Sequence, residues 1–187
     1  MNLEQRIQSF EILSVFLQDF LNNENNPRKI WYDKLEQKIN ESFLYNGWFT
    51  KENVKKSISG IASLLNDKNL SQLKVNYNEV KIPKTIAVIM AGNIPAVGFH
   101  DLACVLLSGN KVLIKLSSDD KIIIPFLLEV LIDIEPKFKD IMVHDFRPDT
   151  LSPLQNAGIL LSPAITIDLN GNPRTGNPDV GCFERPD

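Results

Sequence analysis

The stretch TIAVIMAGNIPAVGFHDLACVLLSGNKVLIKLSS, residues 85–118, constrains the fold more than any other part of the chain. Thr85 to Met90 is β-branched or apolar without alternation, the pattern of a parallel strand covered on both faces. Gly92 follows as a backbone release point, and Pro95 suits the first turn of a helix. Residues 96–107 carry almost no polar surface beyond His100 and Asp101, which predicts a buried helix. Ser108-Gly109-Asn110 is its stop signal, and KVLIKL reads as a second strand.

The alternation continues downstream. Ser117, Ser118 and Asp119 are N-cap candidates for an apolar helix over 120–134, in which Pro125 either kinks the helix or opens a second one in its first turn. Pro136 closes the segment, and IMVHDF at 141–146 fits a third strand. With right-handed crossovers these elements form part of a doubly wound, Rossmann-like parallel sheet, so the expected class is α/β.

Three amphipathic helices are expected ahead of the sheet. Leu3, Ile7, Phe10, Leu13, Leu17 and Phe20 draw one apolar stripe, which ends at NNENNP. Pro27 can open a second helix, with Trp31, Leu35, Ile39 and Phe43 at every fourth residue and Asn46-Gly47 as its stop. Thr50 is an N-cap candidate for a third, which buries Val54, Ile58, Ile61 and Leu65. LKVNYNEVKIP, at 73–83, alternates loosely and suggests a short strand or hairpin. The expected division is a helical segment 1–70, a partial nucleotide-binding unit 71–142 and a tail 143–187.

Composition narrows the function classes. The chain has 187 residues, 43% of them hydrophobic, with a net charge of −3. That balance argues against nucleic acid or an anionic membrane as partner, since both attract an excess of Lys and Arg. Two cysteines, Cys104 and Cys182, imply neither a disulfide framework nor a Cys-rich metal site. Glu4, Glu11 and Asp19 interrupt the apolar start, unlike a secretory signal, and no run approaches membrane-spanning length, so the expected compartment is cytoplasmic. After Lys139 lysine disappears, while Pro, Gly, Asn and Asp become dense in LSPLQNAG and DLNGNPRTGNPD. This tail reads as irregular coil with short strands around TIDL and VGCF.

The AGNIP turn, the LLSGNKVLIKLSS segment and the IEPKFKD exit together resemble the N-terminal part of the bacterial acyl-CoA reductases of the luminescence (LuxC) type, within the aldehyde dehydrogenase superfamily. The resemblance spans residues 1 to about 142 and is specific from Lys84 to Asp140. It implies a full-length enzyme that uses NADPH to reduce a long-chain acyl thioester to a fatty aldehyde through an acyl-cysteine intermediate. It places Asn93 as a donor to the thioester oxyanion and Lys115 at the adenosine ribose and its phosphate. Ser117 and Ser118 would add hydroxyl or helix-start contacts, and Met90, Ala91 and Gly92 backbone and apolar surface beside the cofactor. Taken as residues alone, Asn93 reads rather as an N-cap and Gly92 as a turn residue, and Lys115 reads also as a solvated strand end.

His100 and Cys104 stand four apart on one helix face and suggest a thiolate with its base, although a cysteine on an apolar helix more often packs in a core. The family's nucleophile lies further downstream. Asp168, Asn170 and Asn172 alternate like the start of a calcium loop, but Gly171 sits one place early and no Glu closes a twelve-residue loop, so a tight turn is expected and no metal.

The tail, in HDFRPDTLSPLQNAG, DLNGNPRTG and PDVGCFE, resembles the C-terminal end of secreted right-handed parallel β-helix proteins. The two resemblances imply a chimera joined near 140–145, and a reductase fragment inactive by itself because it lacks the nucleophile domain. The alternatives are a non-catalytic nucleotide- or partner-binding module and a fragment of a secreted solenoid. Oligomerisation stays open.

Overall fold

The computed structural model of the protein describes residues 1–76, 80–140, 142, 143, 166, 167 and 173. The chain divides into two compact units, Met1–His144 and Asp145–Asp187. Among the described residues, six α-helices and one parallel sheet belong to the first unit, an α/β architecture.

Helix α1 (Leu3–Asn22) starts at Asn2, whose side chain accepts the Gln5 N–H at 2.9 Å while the Gln5 side chain accepts the Asn2 N–H at 3.2 Å. This reciprocal cap satisfies donors that a helix start otherwise leaves unpaired. The left-handed Asn23 ends it. Ile7, Phe10, Leu13, Leu17 and Phe20 are buried as their spacing requires, and Phe16 joins them. A 3-10 turn (Lys29–Trp31) leads into α2 (Tyr32–Tyr45), which buries Leu35, Ile39 and Ser42. Phe43, expected on that stripe, is 55% exposed. Helix α3 (Lys51–Leu64) is capped by Thr50, whose hydroxyl accepts the Asn53 N–H. Its expected face, Val54, Ile58, Ile61 and Leu65, is buried. Helix α4 (Asp67–Asn76) occupies residues where a strand or hairpin was expected from Leu73 onwards.

The sheet follows: β1 (Thr85–Ile89), α5 (Phe99–Leu107), β2 (Lys111–Lys115), α6 (Ile123–Ile134), a 3-10 turn (Pro136–Asp140) and β3 (Met142–Val143). Strand order is β1-β2-β3, all parallel, with Thr85 opposite Lys111 and Ile89 opposite Lys115. Helix α5 ends as predicted at Ser108-Gly109-Asn110, with Gly109 at φ +86°. There the Asn110 side chain accepts the Lys84 N–H at 2.9 Å, and the Lys111 N–H donates to the Lys84 carbonyl at 2.8 Å. The turn that stops α5 therefore also fixes where β2 meets β1. Helix α6 begins at Ile123 rather than residue 120, which places Pro125 in its first turn, where a missing N–H costs nothing.

One core joins the helices to the sheet. Phe10 packs edge-on against Phe99 and Phe138, and Trp31 against Phe126. The buried Arg6 donates from Nε to the Leu107 carbonyl at 3.1 Å, where a cation meets the negative end of α5. Both strands bury one face, through Val88 and Met90 and through Val112 and Ile114. The expectation that β1 is covered on both faces does not hold: Ala87 is exposed and Ile89 is 76% exposed. An unbroken apolar run marks a strand suited to two-sided cover, but what lies on the second face is set by other segments.

In the second unit an antiparallel bridge joins Ile167 to Pro173, on either side of the segment read as a tight turn. Residues 168–172, the VGCF strand, Cys182 and the rest of the β-helix-like tail lie outside the described residues. Among those described, no helix is long and apolar enough to cross a membrane, and no group of three His, Cys, Asp or Glu side chains is placed to hold a metal ion.

Candidate functional site

Strands β1 and β2 end side by side. The Met90 N–H donates to the Lys115 carbonyl at 2.9 Å, so the two chains leave the sheet at the same level. Asn93 stands four residues beyond the end of β1, and Lys115 is the last residue of β2. The two sites named from the sequence therefore lie at the carboxyl end of β2 and just beyond that of β1, its parallel neighbour. The Asn93 side chain is exposed and has no hydrogen-bond partner among the described residues. Lys115 is half-buried, and its ammonium donates to the Leu116 carbonyl at 3.2 Å with no carboxylate partner among the described residues.

The segment between them is held from outside. Asn46, at the end of α2, donates from Nδ2 to the Gly92 carbonyl at 3.4 Å. Ser57, on α3, donates its hydroxyl to the Pro95 carbonyl. The Ala96 N–H donates to Asp120 Oδ2 at 2.6 Å. Ala96 has φ +54°, a left-handed conformation that costs a non-glycine residue roughly 1–2 kcal/mol and persists only where the surroundings impose it. Two glycines allow the close approach. A Cβ on Gly92 would lie 2.6 Å from the Ser117 Cβ, and one on Gly98 would lie 2.5 Å from the Met90 Cγ. Met90 is thus spent on packing under Gly98, while Ala91, Ile94 and Val97 are the exposed apolar surface of the turn.

On the facing turn, Ser117 accepts the Asp119 N–H at 3.2 Å and Ser118 donates to Asp119 Oδ1 at 3.2 Å. Neither caps α6, whose first residue follows Ile122 without a side-chain cap. Ser117 instead pairs with Asp120 in an antiparallel bridge. Asp120 is 3% exposed, and its Oδ1 has no partner among the described residues. Burial pushes its carboxyl up to about 6, against the opposing pull of the Ala96 N–H.

Sequence reasoning placed Asp120 as an ordinary first residue of a helix, Ala96 at the start of a helix that begins instead at Phe99, and Asn46 only as a helix stop, and it assigned nothing to Ser57. The Ser-Ser-Asp-Asp run after a strand is a turn signal that could have drawn attention to both aspartates. Which of the two is buried is not written there.

Cys104 differs from the expected core position. It is exposed on α5, with Sγ 3.8 Å from His100 Nε2, while His100 Nδ1 lies 3.3 Å from Asp101 Oδ1. Partial burial first, and then the Asp101 charge, push the thiol up, which disfavours the thiolate a nucleophile needs. The chemistry available at the strand ends is instead hydrogen-bond donation from an amide and charge pairing by an ammonium.

Residues 12–148 match a family model described as Acyl-CoA reductase (LuxC). No curated protein and no solved structure matches the chain.

Proposed function

The chain belongs to the acyl-CoA reductase (LuxC) family, and from that membership we propose that its sheet is the nucleotide-binding part of an NADPH-dependent reductase of long-chain acyl thioesters. The observation that carries this reading is the placement of Lys115 at, and Asn93 just beyond, the carboxyl ends of two adjacent parallel strands, each with donor capacity left over. Nucleotides bind outside the carboxyl ends of such sheets, in the manner of half a Rossmann fold.

In this reading the Lys115 ammonium pairs with the ribose phosphate, and the Ser117 and Ser118 hydroxyls add neutral donors at the start of the next turn. The backbone of Met90, Ala91 and Gly92 lines the cleft. NADPH, when bound, supplies the hydride that converts the acyl group to the aldehyde. Asn93 donates its amide to the carbonyl oxygen as charge grows there, and removal of such a donor costs about 3–4 kcal/mol of transition-state stabilisation. The two aspartates near this site are divided in role: Asp119 is exposed and Asp120 is withdrawn from the cleft by burial.

The polypeptide alone is proposed to bind nucleotide without turnover; Cys104, the one cysteine among the described residues, has its thiol pushed up by burial first and then by the Asp101 charge, which disfavours the thiolate an acyl carrier needs. Calorimetry with NADP+ and with its phosphate-free counterpart tests the site. Lys115→Ala should weaken NADP+ binding by roughly tenfold or more and leave the weaker NAD+ binding nearly unchanged. Equal loss for both nucleotides would remove the phosphate contact from the reading. Oxidation of NADPH by the purified chain with a long-chain acyl-CoA would overturn the proposal that it is inert.

A second reading, a non-catalytic partner-binding module, draws on the open face of β1 and on Trp48, which is 81% exposed. Sedimentation across a concentration series distinguishes it, since a strictly monomeric chain that binds NADP+ needs no such role.

A further inference from the structure

We propose that Asp120 is a positioning residue for the turn that presents Asn93, a role that rests on the nucleotide-site reading above. Three side chains fix that turn from outside, but Asn46 and Ser57 hold carbonyls of Gly92 and Pro95 that a relaxed turn could also offer. Asp120 takes the N–H of Ala96, the one residue of the turn in a left-handed conformation. The Ala96 carbonyl in turn accepts the Phe99 N–H at 3.0 Å, at the entry to α5. A single carboxylate oxygen therefore ties the strained residue, the start of α5 and the strand-end turn into one geometry.

The cost of the arrangement identifies its purpose. A residue 3% exposed is ordinarily apolar, and an apolar side chain there would leave no charged oxygen buried and unpaired. The carboxylate is explained by the bond it makes to Ala96, since its other oxygen makes none among the described residues. Ser117 and Gly92 reinforce the contact: the turn carrying Asp120 lies so close to Gly92 that a methyl group would not fit between them. Displacement of Ala96 would be passed to Gly92 and Asn93 because the 92–96 segment has no slack on that side.

The test uses the 187-residue chain. Amide hydrogen exchange read by NMR reports the Ala96 N–H, calorimetry with NADP+ reports the site, and thermal melting reports the fold. In Asp120→Ala, Ala96 exchange should be about tenfold faster and NADP+ affinity about tenfold lower, with a cooperative melt retained. Asp120→Asn keeps an acceptor oxygen in place and should restore both to within about threefold of the native chain.

Unchanged Ala96 exchange in Asp120→Ala overturns the proposal, as does an Asp120→Asn variant equally defective. If Asp120→Ala does not melt cooperatively, Asp120→Asn decides by itself: slow Ala96 exchange supports the role and fast exchange removes it. Should the native chain take up no NADP+, the nucleotide-site reading fails separately, and the Ala96 exchange rates still decide whether Asp120 holds the turn.

Discussion

Asp120 ties the chemistry of one carboxyl group to the pH dependence of the fold. Its carboxyl titrates at about 6 in the folded chain against an ordinary 3.8, so the native state binds the proton more tightly than the unfolded state. The stability this contributes is complete below the unfolded value and is lost as pH rises through the folded one, a difference of about 3 kcal/mol. Asp120→Asn cannot titrate. Its melting temperature relative to the parent should therefore climb by about 5–10 °C as pH goes from about 4 to about 7.5. The difference between the two chains is the quantity to read, because Glu36 acts in the opposite sense in both. The Lys51 hydrogen bond holds the Glu36 carboxyl below its usual range, so its contribution is lost as pH falls. A melting difference that stays flat with pH would show that the Asp120 carboxyl is not held in an apolar environment.

At the scale of elements, helix ends and strand register are coupled through single side chains. Asn110 closes α5 and accepts the Lys84 N–H, so it sets where β1 begins against β2. Asn110→Ala should cost about 1 kcal/mol, lower the melting temperature by roughly 2–4 °C and speed exchange of the Lys84 amide. Unaltered Lys84 exchange would mean that backbone pairing alone sets the register. Elements also explain two departures from the sequence pattern. A spacing of four drifts by about 40° per step around a helix, so the series Trp31, Leu35, Ile39, Phe43 turns off the buried face, and Ser42 takes the place of Phe43. On α5 the same geometry sets Cys104 with His100 on the outer side, while Leu102, Ala103, Val105 and Leu106 face inward.

Across the whole first unit, the helices and the sheet share one core, and Phe10 is a point where they meet. It is fully buried in α1 and touches the rings of Phe99 on α5 and Phe138 beyond α6. Phe10→Ala should cost about 3–5 kcal/mol, and hydrogen exchange should then report equal loss of protection in α1, α5 and β2. Loss confined to α1 would divide the unit into separately stable layers. The sequence by itself determined the cap at Thr50, the phases of α1 and α3, the glycine stop after α5 and the parallel strands that bring Asn93 and Lys115 to one end of the sheet. These rest on local periodicity and on backbone preferences that act within a few residues. Only the tertiary structure decided that β1 is covered on one face, that Ala96 turns left-handed and that Asp120, not Asp119, is buried. Those outcomes depend on partners 24 to 46 residues away along the chain, and burial is a property of whatever packs opposite a residue rather than of the residue itself.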